Sequence, residues 1–212
     1  MIVLGLTGGI ACGKSSVCSY MTRLGAKYLS ADKLAHYAAL PGGQLWKIYV
    51  ERYGEGVLTP QKHIDRRTVA AIVFCDKEER HWLDEATHPI LRRMMEQEIA
   101  KHKKLGTPVL ILDVPLLYEA GWDDMVDTVW VVYASEEAQM RRLRKRITVK
   151  TEENARRRIA AQMSVAEKCE RADVVIDNSG AWEDTSAQIM VAFAPLQAQV
   201  AAEYNAKYRC AE

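Results

Sequence analysis

The stretch Gly8-Gly-Ile-Ala-Cys-Gly13-Lys14-Ser15 fits the pattern G-x-x-x-x-G-K-[ST]. Each residue type in it meets a need of a bound polyphosphate. Gly8 and Gly13 permit backbone angles and close approaches that a side chain would block. The loop of Gly8, Gly9, Ile10, Ala11, Cys12 and Gly13 can then turn successive N–H groups inward onto a phosphate. A helix starting near Lys14, Ser15 and Ser16 aims the positive end of its dipole at the same anion. The Lys14 ammonium can reach the β- and γ-phosphates, and the Ser15 hydroxyl can ligate Mg²⁺. With ordinary residue usage, a chance match in a chain of this length arises on the order of 1% of the time. Nucleoside triphosphate binding follows, but the motif serves kinases, switches and motors alike, so the reaction does not.

A second constellation is basic. Residues 141–158 carry Arg141, Arg142, Arg144, Lys145, Arg146, Lys150, Arg156, Arg157 and Arg158, opposed only by Glu152 and Glu153. Met140, Leu143 and Ile147 form an apolar stripe, and Arg142 and Arg146 share the opposite face at i,i+4 spacing. A helix–turn–helix of this charge can close over a triphosphate as a lid, because an arginine fork binds phosphate oxygens and spreads charge in phosphoryl transfer. The alternatives are a solvated face or an RNA-binding patch; beside a phosphate loop, the lid is the reading taken forward.

These residues must be positioned by elements. Continuous apolar runs at 2–7, 109–113, 129–134 and 173–177, with a weaker one at 26–30, read as buried parallel strands. A helix is expected over 15–24, ending at Gly25. Strands alternating with helices imply an α/β sheet covered on both faces. The long gap between the first and third strands is helical in pattern. Asp65 can cap one helix, Asp76 a second, and Pro89 can open a third with Leu91, Met94, Met95 and Ile99 on one face. We therefore expect a core of 1–32, 106–138 and 166–212, a helical subdomain at about 33–105 and a lid at about 139–165. The final helix carries Ile189, Phe193, Leu196 and Val200 at core-facing spacing, with Pro195 a candidate kink.

Composition excludes several classes. The 212 residues hold 29 Lys plus Arg against 28 Asp plus Glu, a net charge of +1. Bulk charge therefore argues against nucleic acid or a membrane surface as partner. The most apolar stretch is broken by Asp113 and falls short of the ~20 residues of a membrane span. The N-terminal residues lack a basic lead and do not read as a signal peptide. The five cysteines, Cys12, Cys18, Cys75, Cys169 and Cys210, are odd in number and without C-x-x-C spacing. Reduced thiols and a cytoplasmic setting are expected rather than disulfides or zinc.

Six blocks together carry a resemblance. Gly5-Leu-Thr-Gly-Gly-Ile10 running into the phosphate loop, Ser30-Ala-Asp32, Thr87-His-Pro-Ile90, Asp113-Val-Pro-Leu-Leu-Tyr-Glu119, Arg158-Ile-Ala-Ala-Gln162 and Ala172-Asp-Val-Val-Ile-Asp-Asn178 resemble dephospho-coenzyme A kinases in order and spacing. The resemblance implies a P-loop NTPase fold with a five-stranded parallel sheet, a helical substrate-binding insertion and an Arg-rich lid. It implies transfer of the ATP γ-phosphoryl group to the ribose 3′-hydroxyl of dephospho-CoA, with Mg²⁺, in a monomer or weak homo-oligomer. Asp32 matches the catalytic aspartate; on position alone it reads equally as a proton acceptor or as a helix N-cap. Asp113 is expected to serve Mg²⁺ or position the acceptor. Arg142 and Arg146 match lid arginines, and Arg142 is a candidate to stack on adenine. Asn178 sits where related kinases read the base. Thr7, His88, Leu117 and Tyr118 are expected to meet the acceptor, although a core position weighs as much for Leu117 and Tyr118, and a capping or core role as much for His88.

The chain departs from the family at three places. Ala11 stands where Gly is usual, which brings strain if that position needs a positive φ. Cys12 stands for Ser, and its place beside a helix N-terminus and Lys14 suggests a lowered thiol pKa and a redox-sensitive nucleotide site. Ser30 replaces a common Asp. The rival readings are a kinase with another nucleoside or nucleotide acceptor, a nucleotide switch and a nucleic-acid binder. The absence of an Asn-Lys-x-Asp run argues against a GTPase.

Overall fold

In the computed structural model, which describes residues 1–145, 153, 156, 159 and 162–209, the chain divides into two compact units. One is Met1–Leu29 with Lys101–Glu212, and the other is Ser30–Ala100.

The first unit is built on a five-stranded sheet: β1 Ile2–Gly8, β2 Lys27–Ser30, β3 Val109–Asp113, β4 Thr128–Tyr133 and β5 Val174–Asp177. The order across the sheet is β2-β3-β1-β4-β5. The pairs β1–β3, β1–β4 and β4–β5 are parallel, with Leu6 opposite Asp113 and Gly8 opposite Val132. Every residue of β1 and β3 is buried, which is why these strands are continuous apolar runs rather than alternating ones. The register brings the ends of β1 and β3 out side by side at the carboxyl edge, where open α/β sheets bind ligands.

Helix α1 (Lys14–Arg23) leaves β1 through the phosphate loop, burying Val17, Cys18 and Met21. Ile189 and Phe193 of the last helix, Trp182–Arg209, join the same core, with Leu196 and Val200 packed against it. Pro195 lies within that helix, which continues past it.

The second unit is helical. Ser30 caps α2 (Ala31–Ala38), its Oγ accepting from the Lys33 N–H at 3.3 Å. Then come α3 (Gln44–Tyr53), α4 (Arg66–Cys75) and the start of α5 (Lys77–Lys104). Asp65 caps α4 through the Arg67 N–H at 3.0 Å, as expected from sequence. Asp76 accepts from the Glu78 and Glu79 N–H groups at 2.8 and 3.2 Å. The expected break at Pro89 is absent: α5 runs through it for 28 residues. Proline removes one helical N–H, yet the turn before it stays closed, with the Thr87 hydroxyl donating to the Leu83 carbonyl at 2.7 Å. Glu79 ties α5 to α3, accepting from the Arg52 guanidinium and, at 3.1 Å, from the Tyr53 hydroxyl.

Candidate active site

The phosphate loop is set by three backbone constraints. Gly8 has φ +151°, and a Cβ there would lie 2.4 Å from the Val132 carbonyl oxygen of β4. Gly13 takes φ +90° as the N-cap of α1, and a Cβ there would lie 2.1 Å from Asn178 Nδ2. Ala11 has φ 60°, a left-handed conformation that disfavours any residue with a Cβ. The departure from Gly at Ala11 therefore carries strain.

Side chains hold the loop from outside. Arg142, on α6 (Glu136–Arg144), donates from Nη1 to the Ala11 and Cys12 carbonyls, both at 3.2 Å, and from Nη2 to the Asn178 carbonyl at 2.6 Å. Asn178, just past β5, donates from Nδ2 to the Cys12 carbonyl at 2.7 Å. Its Oδ1 accepts from the Thr185 hydroxyl at 3.1 Å. Because a trans peptide sets N–H opposite to C=O, fixing the Cys12 carbonyl toward Arg142 and Asn178 points the Gly13 N–H the other way. The N-terminus of α1 has no side-chain cap, and its orphan N–H groups and dipole suit an anion. Ser15 and Ser16 stand exposed in that first turn.

Lys14 pairs with Asp113 at the end of β3, and the Tyr28 hydroxyl donates to the other Asp113 oxygen at 2.8 Å. The two side chains are only 16% and 11% exposed, so the pair is held in a partly dry place beside the loop. Hydroxyl and carboxylate oxygens are the donors Mg²⁺ prefers alongside phosphate and water. Ser15 fits as a direct ligand. Asp113, with each oxygen already engaged, fits as a carboxylate acting through water.

The remaining expected residues are placed as follows. The Asn178 amide is buried and bonded on both sides, and it buttresses the loop. The Arg142 fork is turned to loop carbonyls rather than open to phosphate. Leu117 is 0% exposed and packs over Gly5 of β1. Tyr118 is buried with its hydroxyl on the Arg171 carbonyl at 2.8 Å. Thr7 is fully buried and donates to the Pro115 carbonyl at 3.0 Å. All three side chains are buried within the first unit. The Cys12 thiol, 0% exposed, is pushed up to about 11 by burial, against the lowering effect of nearby backbone groups and Arg142. Burial outweighs the helix end and the cation, and the reactive thiol expected from sequence is not found.

Asp32 and His88 belong to the second unit. Since Ser30 takes the cap of α2, Asp32 is left exposed in the first turn rather than used as the N-cap. His88 lies with Nε2 3.8 Å from Asp84 Oδ1 on α5. Arg146 and most of the expected lid lie outside the described residues. Sequence reading passed over Lys168, Tyr28 and Glu119; only Glu119, inside the block beginning at Asp113, carried any signal.

A family model for dephospho-CoA kinase matches residues 2–184. The chain is 42% identical over 193 residues to a dephospho-CoA kinase of Symbiobacterium thermophilum, covering 91% of this chain and 80% of that protein. It is 43% identical over 189 residues to one of Geobacter sulfurreducens, covering 89% and 95%. The solved structure of a dephospho-CoA kinase from Campylobacter jejuni aligns with a TM-score of 0.69 at 29% identity, covering 93% of this chain and 98% of that one.

Proposed function

The chain belongs to the dephospho-CoA kinase family, and we propose that its phosphate loop holds ATP while Asp32 activates the acceptor. The enzyme is a phosphotransferase, and its reaction converts dephospho-CoA to CoA, the last step of coenzyme A biosynthesis. The observation that carries the ATP assignment is the Lys14–Asp113 pair beside a glycine loop whose outward carbonyls are clamped by Arg142 and Asn178.

Transfer of a phosphoryl group needs positioning and charge neutralisation more than covalent help from the protein. Gly13 N–H and the first turn of α1 bind phosphate oxygens. Lys14, a point charge on a flexible stem, exchanges Asp113 for the β- and γ-phosphates when the nucleotide arrives. Ser15 and Asp113 would hold Mg²⁺, which supplies neutralisation of the phosphate charge. The Asp32 carboxylate, free of the capping role, accepts the proton of the ribose 3′-hydroxyl and orients it for in-line attack. His88 is assigned to the acceptor side. Arg142 acts by shaping the loop.

The test is phosphoryl transfer from ATP with Mg²⁺ to dephospho-CoA, adenosine and nucleoside monophosphates in parallel, with Asp32→Asn alongside. CoA formation restricted to the first acceptor supports the reading. Phosphorylation of a monophosphate instead removes the acceptor assignment and leaves the loop argument standing.

A further inference from the structure

Lys168 lies on α7 (Val165–Glu170), inside the first unit, and its side chain is 0% exposed. Its ammonium donates to the Pro115 carbonyl at 2.8 Å and pairs with Glu119 Oε1 at 2.9 Å. Each partner is shared. The Pro115 carbonyl also accepts from the Thr7 hydroxyl at 3.0 Å, and Thr7 directly precedes Gly8 of the phosphate loop. Glu119 Oε1 also accepts from the Met163 N–H at 3.1 Å. Met163 lies just before Ser164, the cap of α7. The far end of α7 is fastened to the same loop. The Tyr118 hydroxyl donates to the Arg171 carbonyl, and the Arg171 guanidinium lies 4.1 Å from the Tyr118 ring centre.

An ammonium with no solvent access is costly unless paired and hydrogen-bonded. An apolar side chain of similar size often fills such a place without loss of stability. Stability alone therefore does not account for the charge. What it does is join the strand end feeding the phosphate loop, the loop that follows Asp113, and Met163 at the start of α7.

We propose that Lys168 is a positioning residue for phosphoryl transfer: its buried ammonium locks the 115–119 loop onto Met163 and the start of α7, so that Asp113 keeps a fixed relation to the phosphate loop. This rests on the kinase reading above. Glu119 is the other half of the lock. Removing Glu119 takes away the acceptor of the Met163 N–H, and removing Lys168 takes away the cation that holds that carboxylate in place.

The test compares full-length wild-type enzyme with Lys168→Met, Lys168→Arg, Glu119→Ala and the double variant Lys168→Met/Glu119→Ala. Each is assayed for kcat and both KM values and followed by hydrogen exchange at the Met163 amide. In Lys168→Met and Glu119→Ala we expect kcat to fall about 10-fold and the KM for ATP to stay within 2-fold. Met163 exchange should quicken about 10-fold. The double variant should be no worse than the poorer single one, and Lys168→Arg should recover at least a third of wild-type kcat. If kcat per folded molecule is unchanged while the melting temperature falls, Lys168 is only a packing residue and the proposal is overturned. Additive losses in the double variant also overturn it. Should Lys168→Met fail to fold, Glu119→Ala decides alone, since Glu119 is partly exposed. Quickened exchange at Met163 is readable without turnover. Wild-type enzyme inactive on dephospho-CoA would therefore overturn the kinase reading while exchange still reports on the lock.

Discussion

Asn178→Ala separates loop support from base reading. The substitution removes two buried hydrogen bonds, Nδ2 to the Cys12 carbonyl at 2.7 Å and the Thr185 hydroxyl to Oδ1 at 3.1 Å. Neither partner is left orphaned. Arg142 Nη1 still reaches the Cys12 carbonyl, and the Thr185 hydroxyl still has the Asp177 and Ala181 carbonyls. The cost is therefore the net value of two bonds, about 1 kcal/mol each, plus about 1 kcal/mol for the small void. A loss of about 2–3 kcal/mol lowers the melting temperature by about 5–10 °C for a chain of this size. With the Cys12 carbonyl less firmly held, the Gly13 N–H loses part of its preorganisation, and a weakening of about 1 kcal/mol is about 5-fold in affinity. The assay is calorimetric titration with ATP and with inorganic tripolyphosphate, beside thermal unfolding. Because the effect passes through the loop, both ligands should weaken by the same factor. Weakening of ATP alone, with tripolyphosphate and stability unchanged, would show that the amide reads the base and would refute the reasoning.

Two further outcomes follow from the loop. Ala11→Gly relieves a left-handed residue at a cost of about 1–2 kcal/mol, offset by about 0.4–1 kcal/mol of added unfolded-chain entropy. A net gain between zero and about 1.6 kcal/mol should appear in urea unfolding, and a loss of stability would contradict the strain assignment. The Cys12 and Cys18 thiols are pushed up to about 11 and about 12, first of all by burial. Both stay protonated in the folded chain where an unfolded thiol ionises near 9. Their contribution to stability is thus complete below pH 9 and is lost as the pH rises toward 11–12. In iodoacetamide labelling at pH 8, exposed Cys75 should react well before Cys12; equal rates would contradict the burial argument.

The sheet was legible because buried parallel strands need unbroken apolar runs, and 2–7, 109–113 and 129–134 supply them. The phosphate loop was legible because only a few residue types tolerate its backbone. Helix α5 was misread at Pro89 because the local cost of a proline says nothing about the packing that carries a helix past it. Asn178, Thr7 and Tyr118 were marked for the site by the family resemblance. In each case a distant partner, Cys12, Pro115 or Arg171, takes up the polar group, and such pairings over long sequence separations leave no local pattern. Cys12 looked activated for the same reason: the dipole and the cation are visible in sequence, and burial is not. Lys168, in Val165-Ala-Glu-Lys168, reads as a solvated helix residue until Glu119 and Pro115 are seen beside it.

The most direct test of the central claim is the rate of CoA formation from dephospho-CoA and ATP by the wild-type chain, by Lys14→Ala and by Asp32→Asn. Loss of a positioned proton acceptor typically costs about 100-fold or more. The account expects robust wild-type turnover, a kcat at least about 100-fold lower in Asp32→Asn with little change in ATP affinity, and loss of both turnover and ATP binding in Lys14→Ala. Undiminished turnover in Asp32→Asn would contradict the assignment of the base, and ATP binding that survives Lys14→Ala intact would contradict the phosphate loop as its seat.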